Sequence, residues 1–451
     1  MSKYISSVRA AQRLDSRGKP TVQVHITTPS GTFSALVPSG ASKGDYEAVE
    51  LRDGDKTFFQ GNGVAKAVHN VEQVLGPALM KENFNPATDL KKIDEFMCRL
   101  DGSDDKGNLG ANAILGISMA CARAGAAAKG IPLYEFLAIE ADLDTSTFIL
   151  PVPFFNVLNG GVHSGNRMAF QEFMIAPVGA SSTAHAVQMG AEVYSHLKTT
   201  IVQHFGPSAV GIGDEGGFAP PISEPHEALD LLVSAISSAG YTDKIKIGID
   251  PASSEFFISD KDRYNLGMKW ERDSLLARDD MAGLYRTLLR KYPIVLLEDP
   301  FAQDDWPSWT AFNKDCGDQV ELVGDDLLAT NVKRINLAHD KRACNALLLK
   351  INQIGTISEA IAAAKRAYEL GWHVFVSHRS GETTDDFIAD LTVALGTGHL
   401  KSGSPCRGER VAKYNRLMDI EDEIQERERE GKKAVYAGEQ FQTEGREKAR
   451  S

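Results

Sequence analysis

Short apolar runs, each closed by one polar residue, recur through the second half of this 451-residue chain and constrain its fold more than any other feature. KIKIGID ends at Asp250, PIVLLE at Glu298, VELVGD at Asp325, NALLLK at Lys350 and HVFVSH at His378, with a last candidate before Lys401. Successive closing residues stand 48, 27, 25, 28 and 23 positions apart. One strand with its crossover helix takes about 25 to 30 residues, so the later intervals read as single units. The first reads as two units, or as one with an insertion. Several runs are almost continuously apolar, as expected of parallel strands covered on both faces. Six units in register predict a β/α barrel, with a doubly wound open sheet as its structural competitor.

The first third has a different texture. TVQVHITT, the turn Pro29-Ser30-Gly31 and TFSALVP predict a hairpin of short strands. From Val64 to Leu137 the period becomes helical, and NLGANAILGISMACARAGAAAKG, starting at Asn108, is rich in the small residues that let helices pack closely. The polar stretch from Ala138 to Phe148 is read as a domain boundary.

Composition narrows the function. With 61 acidic against 49 basic residues the formal charge is −12, which argues against nucleic-acid binding. A small anionic substrate stays admissible, because cations or metals can invert the field within one site. Five scattered cysteines without a C-x-x-C pair argue against a disulfide framework or zinc cluster and suit a reducing compartment. The N-terminus has no apolar signal core, and the richest apolar stretch, Phe148 to Leu158, is short and carries two prolines. A cytoplasmic protein without membrane attachment is expected.

In both parallel architectures ligands bind at the carboxyl ends of the strands. Asp250, Glu298, Asp325 and Lys350 fall at those ends in strand order. Any one of them could be a wet strand cap. Three successive carboxylates followed by a lysine point further, because converging like charges repel unless a cation holds them. An all-oxygen set that meets a phosphorylated substrate favours magnesium. GDEGG places Asp214 and Glu215 before a glycine pair, where the alternative is a surface turn. His163 alone is more often structural, whereas Glu172, beside Gln171 in an apolar run, needs a partner if buried. His378, Arg379 and Ser380 form a donor set suited to phosphate. VPSGASKGDYE lacks the spacing of a nucleotide cradle and reads better as a lid.

Together DSRGKPTVQV, SGASKG, LGANAILG, FNVLNGG, QEFMIAP, GDEGG, SSEFF, EDPFAQDDW, GDDLLATN, KINQIG, SHRSGET and AKYNRL resemble the enolase family, in the family's order and over nearly the whole chain. The resemblance implies a smaller α+β N-terminal domain over 1–140, a C-terminal enolase-type β/α (TIM) barrel over 141–440 that opens with antiparallel strands, and a disordered tail over 441–451. It implies a lyase interconverting 2-phospho-D-glycerate and phosphoenolpyruvate with two magnesium ions per site during turnover, acting as a homodimer. Asp250, Glu298 and Asp325 would hold the tight ion, and Ser42 would join the second. Lys350 matches the general base and Glu215 the general acid, supported by Glu172. His163, Gln171, His378, Arg379, Ser380 and Lys401 match the substrate-binding set. Chemistry sets two further expectations: nearby cations lower the proton affinity of Lys350 while the site's carboxylates push the other way, and proximity to Glu172 and to the phosphorylated substrate favours a proton on Glu215.

The chain departs from the family pattern at Lys43 and Asp45 in the lid, at Val162 before His163, and at Lys19 and Gln23 in the first motif. The charged run IEDEIQEREREGKK is longer than usual and reads as a solvated helix face. The rival readings are a dehydratase or racemase of the same superfamily, and a catalytically idle relative serving as a binding protein. The complete set of expected ligands argues against the second.

Overall fold

The computed structural model describes residues 4–40, 44–269 and 273–442. The hairpin forms as strands Pro20–Thr28 and Gly31–Leu36, closed by Pro29 and Ser30, and Ser7–Leu14 adds a third antiparallel strand. Helix Ala111–Lys129 lies across this sheet. A Cβ on Gly116 would stand 2.5 Å from Val24 Cγ2, so the small residues of the helix are what permit that approach. The same helix corrects the expectation that no apolar stretch reaches membrane-spanning length. By length and composition it is apolar enough to cross a bilayer, but 83% of its apolar window is buried in the protein.

The second domain is a closed eight-stranded barrel. It opens with Val152–Asn159 and Glu172–Ala176, which pair antiparallel, and Glu172–Ala176 is antiparallel to Lys246–Asp250 as well. Two helices, Thr183–Phe205 and Pro225–Ser238, intervene before Lys246–Asp250. Ile294–Glu298, Glu321–Gly324, Ala346–Leu349, His373–Ser377 and His399–Lys401 follow in parallel, and the last closes on Val152–Asn159. The open-sheet alternative is excluded. The long first interval is occupied by a small three-stranded sheet, Phe257–Ile258, Arg263–Asn265 and Leu275–Leu276, followed by helix Arg278–Lys291.

The continuous apolar pattern has a direct cause. Phe154, Met174, Leu296, Val323, Leu348 and Phe375 point into the barrel, while their neighbours Phe155, Ile175, Leu297, Leu322, Leu347 and Val376 pack under the helices. Both faces of each strand are therefore dry.

Phe441, where the expected tail would begin, belongs to this core. Phe441 is 4% exposed and packs edge-on to Phe154 and His399, with ring centroids 5.6 and 5.1 Å away, while residues 443–451 lie outside the described residues. Phe441→Ala is expected to cost about 3–5 kcal/mol in a denaturant titration. A loss below about 1 kcal/mol would show that this ring closes nothing. The charged run preceding it is only partly solvated. Arg427 and Lys432 each lie 2.6 Å from a carboxylate oxygen of Glu135, tying the C-terminal segment to helix Leu133–Glu140.

Candidate active site

Barrel geometry gathers the charged strand ends on one rim. Asp250, Glu298 and Lys401 are the last residues of their strands, and Asp325, Lys350 and His378 each follow theirs by one position. Glu172 reaches the same rim from the opposite direction, because it begins an antiparallel strand and pairs with Asp250. His163, Gln171, Glu172, Glu215, Asp250, Asp325, Lys350, His378, Arg379, Ser380 and Lys401 all line one cavity. Glu298 is fully buried and reaches the others through Lys401.

Two lysines organise the carboxylates. Lys401 Nζ lies 2.7 Å from both oxygens of Glu298, 3.1 Å from Glu172 and 3.5 Å from Asp250. Burial disfavours its charge, but these carboxylates outweigh burial and hold its proton far above the lysine range. Lys350 Nζ pairs with Asp325 Oδ2, whose other oxygen accepts from Gln353 Nε2 at 2.8 Å. That pairing sets the direction for Lys350. Burial, Arg379 and Lys401 favour the neutral amine, yet Asp325 prevails and raises the proton affinity above the ordinary lysine value.

Glu215 is pulled in two directions. Burial raises Glu215, but His378, His163 and Arg410 outweigh it and hold the carboxyl well below its usual range. Asn156 donates to its Oε2 at 2.8 Å. Burial and the nearby Glu215 charge push Glu172 up to about 8. The two carboxyls are therefore pushed in opposite directions and titrate as one coupled pair. His163 Nδ1 stands 3.9 Å from Glu172 and 3.6 Å from Glu215.

The residues fit a hard divalent cation. Among the described residues, eight carboxylates and three permanent cations line the cavity. Burial and Glu298 raise Asp250 well above the carboxylate range, the mark of negative charge lacking enough counter-charge. Lys401, among Glu172, Asp250 and Glu298, stands where positive charge is wanted. Among the described residues, two groups bring three potential ligand atoms within 4.8 Å of one another, His163–Glu172–Glu215 and Asp299–Asp325–Asp326. The expected triad of Asp250, Glu298 and Asp325 is not itself such a group: Lys401 claims the first two and Lys350 the third. Ser42 and Lys43 lie outside the described residues. Of the other departures, Val162 is 46% exposed, and Asp45 accepts from Gln303 Nε2 at 2.7 Å.

Several lining residues escape a reading of the sequence. Glu47 forms a two-pronged ion pair with Arg379, both contacts 3.1 Å, across more than three hundred residues of chain. No local pattern announces it. Asp299 and Asp326 stand directly after two chosen carboxylates, and that adjacency was a usable signal. Asp299 accepts the backbone N–H groups of Asp325 and Asp326, both at 2.8 Å, and so fixes the turn that presents Asp325.

Residues 5–137 match the family model of the enolase N-terminal domain, and residues 147–445 match that of the enolase C-terminal TIM barrel domain. These matches cover most of the chain and include every cavity residue named above. With the antiparallel barrel opening and the carboxylate–lysine rim, they lead to one conclusion: the chain belongs to the enolase family, a metal-dependent lyase family.

Proposed function

We propose that the chain is a magnesium-dependent hydro-lyase interconverting 2-phospho-D-glycerate and phosphoenolpyruvate plus water. One observation carries the reading: a cavity with excess carboxylate places a lysine beside Asp325 and, separately, the buried carboxyls of Glu172 and Glu215 on either side of His163. Removing a proton from carbon beside a carboxylate and expelling hydroxide from the next carbon requires one base and one acid.

Magnesium held by Asp250, Glu298 and Asp325, with Ser42 joining a second ion, would supply the positive charge that competes with Lys350 for Asp325 and stabilises the anion as it develops. Lys350, after releasing its own proton to solvent, takes the proton from the carbon beside the substrate carboxylate. Arg379, Ser380 and His378 offer donors to the phosphate and the leaving group. The departing hydroxide receives the proton held between Glu172 and Glu215 and leaves as water. Gln171 and His163 close the wall around it.

Glu215→Gln breaks the pair without touching Lys350. Product formation should fall by about 10²-fold or more, with exchange of the substrate's α-proton less affected. Equal losses in both would remove Glu215 from the second step. The reaction itself is tested by following the ultraviolet absorbance of the enol phosphate. Magnesium-dependent formation from 2-phosphoglycerate, abolished by a chelator, is expected. Turnover of unphosphorylated hydroxy acids with none of 2-phosphoglycerate would point instead to a dehydratase or racemase of the superfamily.

A further inference from the structure

Helix Gly408–Glu426 contributes a guanidinium that touches no cavity surface and yet reaches two of its loops. Arg410 is 0% exposed. Its Nη1 donates to His378 Nδ1 at 2.5 Å and to Arg379 O at 2.6 Å. Its Nη2 donates to Ser380 O at 2.6 Å, Asp214 O at 3.1 Å and Ser16 Oγ at 3.3 Å, and its Nε faces Glu409 at 3.3 Å. One side chain thus joins the loop carrying His378, Arg379 and Ser380 to the loop carrying Glu215.

We propose that Arg410 is a positioning residue that fixes His378 as the neutral tautomer with its proton on Nε2, facing Glu215; the inference rests on reading the cavity as an enolase site. Arginine has only N–H donors and keeps its proton in proteins. A nitrogen 2.5 Å from that guanidinium must accept, so Nδ1 carries a lone pair. The ring's remaining proton is then on Nε2, which lies 3.2 Å from Glu215 Oε2. Among the described residues Nε2 makes no well-aligned hydrogen bond, which leaves its N–H open to a leaving hydroxyl. Burial, with Arg410 adding to it, pushes the imidazolium pKa down to about 3 despite Glu215, in keeping with a neutral ring. Lys413, one turn along the helix, donates to Glu382 at 2.8 Å and to Thr383 O at 2.6 Å, and braces the far end of the same loop.

Histidine-selective ¹⁵N labelling of the full-length protein tests this without any turnover, with His378 assigned through His378→Asn. The wild-type spectrum should show protonated Nε2 and unprotonated Nδ1. Arg410→Met should abolish that preference and lower kcat by at least about tenfold, with KM changed less than kcat. A wild-type ring protonated on Nδ1, or an unchanged tautomer in Arg410→Met, overturns the proposal. Should Arg410→Met fail to fold, the wild-type spectrum still decides, because an Nδ1–H signal is incompatible with the arginine contact. Lack of activity toward 2-phosphoglycerate, with the expected tautomer present, would overturn the functional reading and leave the Arg410 contact standing.

Discussion

Lys350→Ala should abolish exchange of the substrate's α-proton with solvent, at a cost of about 10³-fold or more in kcat. The expected size follows from the site: Lys350 is the cavity's amine at the end of Ala346–Leu349, and the other lysine, Lys401, is committed to Glu172, Asp250 and Glu298. Removing it also frees Asp325, so magnesium affinity should be kept or increased. Exchange measured by proton NMR in deuterated buffer reads the base directly, and a calorimetric magnesium titration reads the ion. Normal exchange in the variant would refute the assignment. Loss of both exchange and ion binding would make Lys350 a scaffold for the carboxylates.

Glu298→Gln carries the second large effect. Glu298 is fully buried and gives both oxygens to Lys401. The substitution removes one carboxylate of the ion's set and one partner of a buried ammonium. Breaking a buried pair costs about 3–5 kcal/mol, so the melting temperature should fall even without magnesium. Magnesium-dependent activity should vanish, because the proposed ion set loses one of its carboxylates. Asp262→Asn serves as control, since its half-exposed carboxylate pairs with Arg278 away from the cavity. If Glu298→Gln behaved like that control, Glu298 would be structural.

The sequence disclosed the barrel because its strands are dry on both faces and end in charges. Each run closed within one residue of a real strand end, from Asp250 to Lys401. Periodicity alone could not disclose that Glu172 enters the rim from an antiparallel strand; only the resemblance implied it. The protonation states were legible least of all. Asp325 raises the proton affinity of Lys350, and Glu172 and Glu215 are pushed in opposite directions, because each depends on which neighbour lies within about 4 Å. Glu47 and Arg410 were hidden for the same reason: their partners, Arg379 and His378, are distant in the chain. Phe441 went unnoticed because a short polar surround disguised one buried ring.

A crystal grown with manganese, a surrogate that accepts the same oxygen ligands, provides the most direct measurement. Anomalous scattering should place one ion at coordination distance, about 2.1 Å, from oxygens of Asp250, Glu298 and Asp325, with Lys401 withdrawn from Glu298. A peak between Asp299, Asp325 and Asp326 instead, or none at saturating metal, would contradict the shared-cation site on which the chemistry depends.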